Sequence, residues 1–366
     1  MEFKSNWTEA KQRFAAWWAH RSTGRPMLNL RACREKPLLT DEEAVEFRDE
    51  SELYLAADKI VSMAMREASV LEPLAEAMPT VSLNLGAGSM ALYLGCEPRF
   101  RRESVWFEHC LDRYDGSGTV RFDADNKWFA RHIGIYRQAK KLLEGTDILL
   151  DIPDIVENID VVSAMRGPQQ TCYDMYDFPE ELKKTIWKIN DIYKPCYDAF
   201  HEICREQDGG SSYTAFAIWG VGRTAKVQCD HSAMLSPGQF REFVLEPLRE
   251  QCRWLDNSLY HLDGPECIVH VKALMEIEEL NALQWTTGDG KPLAGEEDWD
   301  GLYRQVKEAG KGLWVSLYGY SPDVAVRKAD RLVRKFGGEG FYFQFPRMDR
   351  PEAEALLLKA EREWKC

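Results

Sequence analysis

Hydrophobic and polar positions in the second half of the chain alternate between two periods. Four short runs rich in aliphatic and aromatic residues, 258–263, 282–287, 313–318 and 341–346, carry the short period expected of strands. Segments with helical spacing lie between and after them, at 266–275, 299–309, 323–336 and 351–364. Strand starts fall 24, 31 and 28 residues apart, a repeating strand-helix spacing that predicts a parallel sheet built from βα units. The punctuation agrees: Ser321-Pro322 opens one helix and Gly337-Gly338 closes it. Ser236-Pro237 opens another, which the apolar positions Phe240, Phe243, Val244 and Leu248 carry to about Asp256 along one face.

Upstream, 80–85, 147–152, 213–219 and 225–229 read as strands, and 127–144 and 179–205 as long helices. The count predicts an α/β protein, a single (β/α)8 barrel of the TIM type over residues 80–366. Residues 1–79 read as a helical N-terminal extension packed on that barrel, and 97–121 as an inserted loop or hairpin. A barrel takes about 250 residues, so additions of this size account for the 366 of the chain without a second domain.

Composition narrows the function. The 47 Lys and Arg residues against 60 Asp and Glu give a net charge of −13, and no long basic run offers a surface for nucleic acid. The first twenty residues lack the uninterrupted apolar core of a secretory signal, and no stretch reaches the ~18 apolar residues of a membrane span. The expectation is a cytoplasmic protein with no membrane partner. Ten cysteines lie singly with no CxxC spacing, as reduced thiols rather than a disulfide framework. Twelve Trp and fourteen Tyr either fill a core or wall a pocket for a small organic substrate.

In a βα barrel the reacting groups stand where strands end. His261 and Asp263 end one strand two residues apart, on one side of it, and are candidates for a metal pair or an acid–base pair. The alternative is an interior hydrogen bond for His261 and a helix cap for Asp263. Cys229, Asp230 and His231 follow another strand; Cys229 is a candidate ligand and Asp230 a candidate catalytic carboxylate. Asp151, Trp219, Trp285, Tyr318, Gln344 and Arg347 lie at or just beyond other strand ends and are candidate substrate contacts. The glycine-rich stretches 84–88 and 337–340 match no phosphate-binding pattern, and no GxSxG, HExxH or kinase signature occurs.

The segment Gln-Cys-Asp-His-Ser-Ala-Met-Leu-Ser-Pro-Gly-Gln-Phe-Arg-Glu-Phe-Val at 228–244 is followed by Tyr-His-Leu-Asp-Gly at 260–264 and Leu-Gln-Trp at 283–285. Together with Arg25-Pro26, the stretch 84–88 with Leu94-Gly95, and 160–167, it resembles the uroporphyrinogen decarboxylase superfamily. The resemblance implies the (β/α)8 barrel and a pocket at the strand C-termini. True decarboxylases of that family carry an Arg-rich Met-Arg-Gln-Ala-Gly-Arg segment that is missing from residues 1–60, so the resemblance points to the corrinoid-linked methyltransferase branch. That branch implies Zn2+ on a His-x-Cys pair plus a later Cys, and a corrinoid supplied by a partner protein. Here the first position is His261 and the second Asp263, with Cys229 as a substitute ligand; oxygen ligands suit an oxygen nucleophile better than a thiol. The leading expectation is therefore an enzyme moving a methyl group between a small organic substrate and a corrinoid protein or other carrier. The alternatives are a metal-independent decarboxylase or lyase of a small carboxylate, with Arg347 holding the carboxylate, and a non-catalytic binding relative.

Overall fold

The computed structural model describes residues 1–40, 44–114 and 120–366. Its strands, numbered along the chain, are β1 (Met27–Cys33), β2 (Leu71–Ala75), β3 (Thr80–Val81), β4 (Glu97–Phe100), β5 (Val105–Glu108), β6 (Leu149–Leu150) and β7 (Gly210–Tyr213). They continue as β8 (Ile218–Val221), β9 (Thr224–Gln228), β10 (Asn257–Asp263), β11 (Ala282–Thr286), β12 (Gly312–Ser316) and β13 (Phe341–Gln344).

One sheet runs β2-β1-β13-β12-β11-β10-β9, parallel throughout except for β2. A second parallel pair, β3-β6, continues to β7 through a bridge between Ile152 and Tyr213. Helices separate consecutive strands: Pro179–Cys204 before β7, Glu246–Trp254 before β10, Asp300–Glu308 before β12 and Pro322–Phe336 before β13. The fold is α/β with a parallel sheet covered by helices, the arrangement that crossover connections impose. Among the described residues no helix is long and apolar enough to cross a membrane.

The helix starts follow their local chemistry. Ser236 and Gln239 cap each other's backbone at the helix opened by Pro237, and Asp349 and Glu352 do the same for Arg350–Glu363. The long helix that follows Ser236 passes through a wider π turn at Phe240–Leu245 before resuming at Glu246.

Three findings depart from the sequence reading. Residues 1–79 are not a purely helical extension: β1 pairs in parallel with β13 and antiparallel with β2, so this segment supplies two strands of the sheet. The helix Trp7–Trp18 does pack on the sheet, with Phe14 and Trp17 against Tyr342. The strand expected at 213–219 is two strands, because Phe216 and Ala217 take positive φ and turn the chain into the antiparallel hairpin β7-β8. The insertion expected at 97–121 begins as the hairpin β4-β5, while 115–119 lie outside the described residues.

Candidate metal and substrate site

Strand register builds the site in two rungs. The lower rung aligns Gln228 with His261, His261 with Gln284, Gln284 with Trp314 and Trp314 with Tyr342. Two residues further along, Asp263 aligns with Thr286, Ser316 with Gln344, and Gln344 with Asn29. Side chains two apart share a face, so these rungs point to one side of the sheet at its C-terminal end. Asp230, two residues beyond Gln228, joins them.

Asp230, His261 and Asp263 each offer a ligand atom, and these atoms lie within 4.8 Å of one another. His261 Nε2 stands 4.0 Å from Asp230 Oδ1. On the far side of the ring, Nδ1 is hydrogen-bonded to Gln284 Oε1, an acceptor, so Nδ1 carries the proton and Nε2 is left with its lone pair. Gln284 is held in turn by donating through Nε2 to Thr286 Oγ1 at 2.9 Å. The Phe216 ring covers the imidazole at 5.1 Å. Burial, then the positive charge of Lys226, lowers the His261 pKa and keeps the ring neutral, the form a metal needs.

The carboxylates are arranged by neighbours. Asp160 accepts the backbone N–H groups of Asp230 and His231 at 2.8 and 2.9 Å. The Gln228 amide donates to Asp160 at 3.0 Å and to Asp230 at 2.8 Å, which holds two acidic groups close together. Beneath them Lys226 is fully buried, paired with Asp154 at 2.7 Å and bonded to Gln228 Oε1. Asp154 also accepts from the Tyr213 hydroxyl at 3.1 Å, and Glu157 accepts the Gln228 N–H at 2.7 Å. Crowding around its carboxyl, then the Asp160 charge, pushes Asp230 up to about 7, although the side chain keeps 49% of its surface open to solvent. Burial pushes Glu157 up to about 8. A divalent cation fits this donor set: two carboxylates neutralise its charge, and an oriented imidazole supplies the third ligand.

Two cavities lie nearby: Phe216, the ring over His261, lines one, and Asp230 lines the other. One, of about 440 Å³, is lined by Asn29, Arg31, Phe216, Tyr318, Gln344 and Arg347, among others. Its floor is the buried amide pair in which Asn29 Nδ2 donates to Gln344 Oε1 at 2.6 Å. Arg31 and Arg347 both reach the Glu67 carboxylate, at 3.2 and 3.3 Å. The other, of about 450 Å³, runs past Asp230, Asp160 and Gln228 under the β4-β5 hairpin, whose Trp106 and Phe107 form its wall. The glycines at 84–88 make room for that hairpin: a Cβ on Gly86 would lie 2.9 Å from Val105 Cβ, and one on Gly88 3.3 Å from the Phe107 ring.

Of the sequence candidates, the structure brings Asp230, His261 and Asp263 together, and places Tyr318, Gln344 and Arg347 around the first cavity. Cys229 is a correction. It sits between Gln228 and Asp230 in the strand alternation and so faces the opposite side, buried, with its thiol pushed far up by burial. Trp219 is another, because the β7-β8 turn puts it on the return strand, where its indole donates to Glu206 and its carbonyl accepts from Trp18. Trp285 aligns with Leu262, not His261, and packs against Trp299 at 4.9 Å on the helix side of the sheet. Asp151 is buried beside Ser212 and Thr80, raised to about 7 by burial, and lines neither cavity.

Sequence reasoning passed over Lys226, Gln228, Gln284, Asn29 and Arg31. Their signal was present: Lys226, Gln228 and Asp230 recur at every second position of an apolar strand, as do Asn29 and Arg31. Polar groups buried at that period face something polar.

No family profile matches the chain, and comparison with curated proteins returns no match. A solved methyltransferase from Methanosarcina mazei shares the fold, with a TM-score of 0.59 and 12% identity over 97% of this chain and 98% of that one. A B12-independent methionine synthase from Shewanella sp. W3-18-1, solved with selenomethionine, aligns at a TM-score of 0.45 and 8% identity, over 92% of this chain and 96% of that one.

Proposed function

We propose that the chain is a metal-dependent methyl-transfer enzyme of the uroporphyrinogen decarboxylase type, acting on a small organic substrate at the mouth of a (β/α)8 barrel. The observation that carries this reading is the convergence of Asp230, His261 and Asp263 at adjacent strand ends, within 4.8 Å, with a glutamine fixing the histidine tautomer. The shared fold of a methyltransferase supports it.

In this reading Asp230, His261 and Asp263 hold a divalent cation, zinc by expectation. Bound there, the metal supplies Lewis acidity toward an oxygen or nitrogen of the substrate. The protein's own groups do the rest. Gln284 keeps His261 Nε2 bare, Asp160 and Gln228 pin the loop that carries Asp230, and the Phe216 ring keeps water off the imidazole face. Arg31, Tyr318 and Arg347 orient the polar end of a substrate in the adjoining cavity. A corrinoid on a partner protein is the proposed methyl carrier, with the cytoplasm as the setting.

The experiment uses methylcobalamin as the methyl probe with the zinc-loaded full chain and a panel of alcohol, amine and thiol acceptors, read by the loss of the methyl-cobalt absorbance. Turnover lost in His261→Ala supports the reading. Carbon dioxide release from small carboxylates that survives chelation, with no demethylation, replaces it with the lyase reading, in which Arg347 holds the carboxylate. Binding without either reaction leaves the non-catalytic relative.

A further inference from the structure

The β4-β5 hairpin forms the wall of the cavity beside Asp230, and its two ends carry cysteines. Cys96 directly precedes β4 at Glu97, and Cys110 lies two residues after β5 ends at Glu108. The outermost hairpin pair is Glu97 with Glu108, so the two thiols sit just outside the ladder, at its root. Their sulfurs are in contact at 3.2 Å with both thiols free. A disulfide bond of ~2.05 Å requires them to close by about 1.1 Å. The surroundings hold them in place: the N–H groups of Cys110 and Leu111 donate to Met165 O at 2.8 and 3.0 Å, and the Cys96 N–H donates to Ala91 O at 3.0 Å. Met165 belongs to the helix Asn158–Arg166, which also carries Asp160, the residue that pins Asp230.

We propose that Cys96 and Cys110 are a reversible disulfide site that staples the root of the β4-β5 hairpin and fixes the cavity wall beside Asp230. Exposure sets the order of attack, since Cys110 is open to solvent and Cys96 is buried behind it. The hydrogen bond from Cys96 lowers the Cys110 pKa, which makes it the thiolate that reacts first. The oxidant is a low-molecular-weight disulfide. Cys110 sulfur attacks one sulfur of that disulfide and expels one thiolate. Cys96, giving up its proton, then attacks the Cys110 sulfur and expels the second. Two protein thiols and one disulfide become one protein disulfide and two small thiols, so atoms and electrons balance.

The test uses the full reduced chain incubated with glutathione disulfide, followed by non-reducing peptide mapping and by timed trypsin cleavage at the hairpin tip, where Arg101 and Arg102 are exposed. The expected result is a Cys96 peptide joined to a Cys110 peptide, released by dithiothreitol, with tip cleavage slowed several-fold in the oxidised protein. Cys110→Ser, an exposed substitution, abolishes both effects while keeping the reduced cleavage rate. Cys96→Ala stops the reaction at a glutathione adduct on Cys110. A glutathione adduct that persists on Cys110 in the unaltered chain while Cys96 stays free overturns the proposal, as does equal tip cleavage before and after oxidation. Neither readout depends on a metal or on methyl transfer, so the site stands or falls apart from the proposed activity.

Discussion

At the scale of single residues, the site depends on which nitrogen of His261 is bare. Gln284 decides this by accepting from Nδ1, and Thr286 decides it for Gln284 by accepting its amide N–H. Gln284→Leu keeps the volume and removes the acceptor, so the ring loses both its orientation and its tautomer. Loss of such an outer partner costs ~10–100-fold in metal affinity. Competition titration with a chromophoric zinc chelator should show that loss in Gln284→Leu with an unchanged melting temperature; equal affinity would remove Gln284 from the site.

A second histidine has the opposite character. His132 is fully buried, accepts from the Tyr93 hydroxyl at 2.6 Å, donates through Nε2 to Leu83 O at 2.7 Å, and is lowered to about 4 by burial. The unfolded chain protonates it near 6.5, so between 6.5 and 4 the unfolded state holds more protons than the folded one. Stability from this group is complete above pH 6.5 and is lost as pH falls toward 4, by about 3 kcal/mol at most. Urea unfolding of wild type and His132→Gln from pH 7 to 4 should show a shallower decline in the variant. Parallel declines would contradict the assignment.

At the scale of elements, the hairpin β4-β5 is seated by two glycines. Gly86 has a φ of +92°, and its missing Cβ leaves room for Val105. Gly86→Ala meets both the conformational penalty and the contact, and should cost ~1–3 kcal/mol. A denaturation midpoint equal to that of the wild type would show that the hairpin does not press on this turn.

Elements were legible where one face was uniformly apolar. The parallel strands of the second half and the helices 322–336 and 350–363 were read close to their observed limits, because their periods are clean and their caps explicit. β1 was hidden by its alternation: Asn29 and Arg31 line the cavity and Leu28, Leu30 and Ala32 point to the other side, so polar residues interrupt what would otherwise read as an apolar run. The β7-β8 turn was hidden for another reason. Phe216 and Ala217 are poor signals for positive φ, since that conformation belongs mostly to Gly, Asn and Asp. That single turn moved Trp219 away from the site.

At the scale of the molecule, the additions serve opposite ends of the sheet. The helix Trp7–Trp18 packs where β12 and β13 begin, with Trp17 against Gly312 and donating to Gly340 O, while the β4-β5 hairpin walls the cavity past Asp230. The His-x-Asp pair was visible in the sequence because strand alternation alone puts both on one face. The sequence reading takes Cys229 as the third ligand; the register of β9 against β10 puts Gln228 opposite His261 and Cys229 behind the sheet, and leaves Asp230 on the side of the pair. The aromatic load divides the same way: Trp314 and Phe216 face the cavity, while Trp219 and Trp285 are packing.

The central claim is that Asp230, His261 and Asp263 hold one divalent metal ion. Elemental analysis of the full chain, dialysed against a slight excess of zinc and then against metal-free buffer, tests it directly. One zinc per chain in wild type, with little or none in Asp230→Asn, His261→Ala and Asp263→Asn of unchanged circular dichroism, is the predicted result. Equal zinc in wild type and all three variants, or none in any, would contradict it.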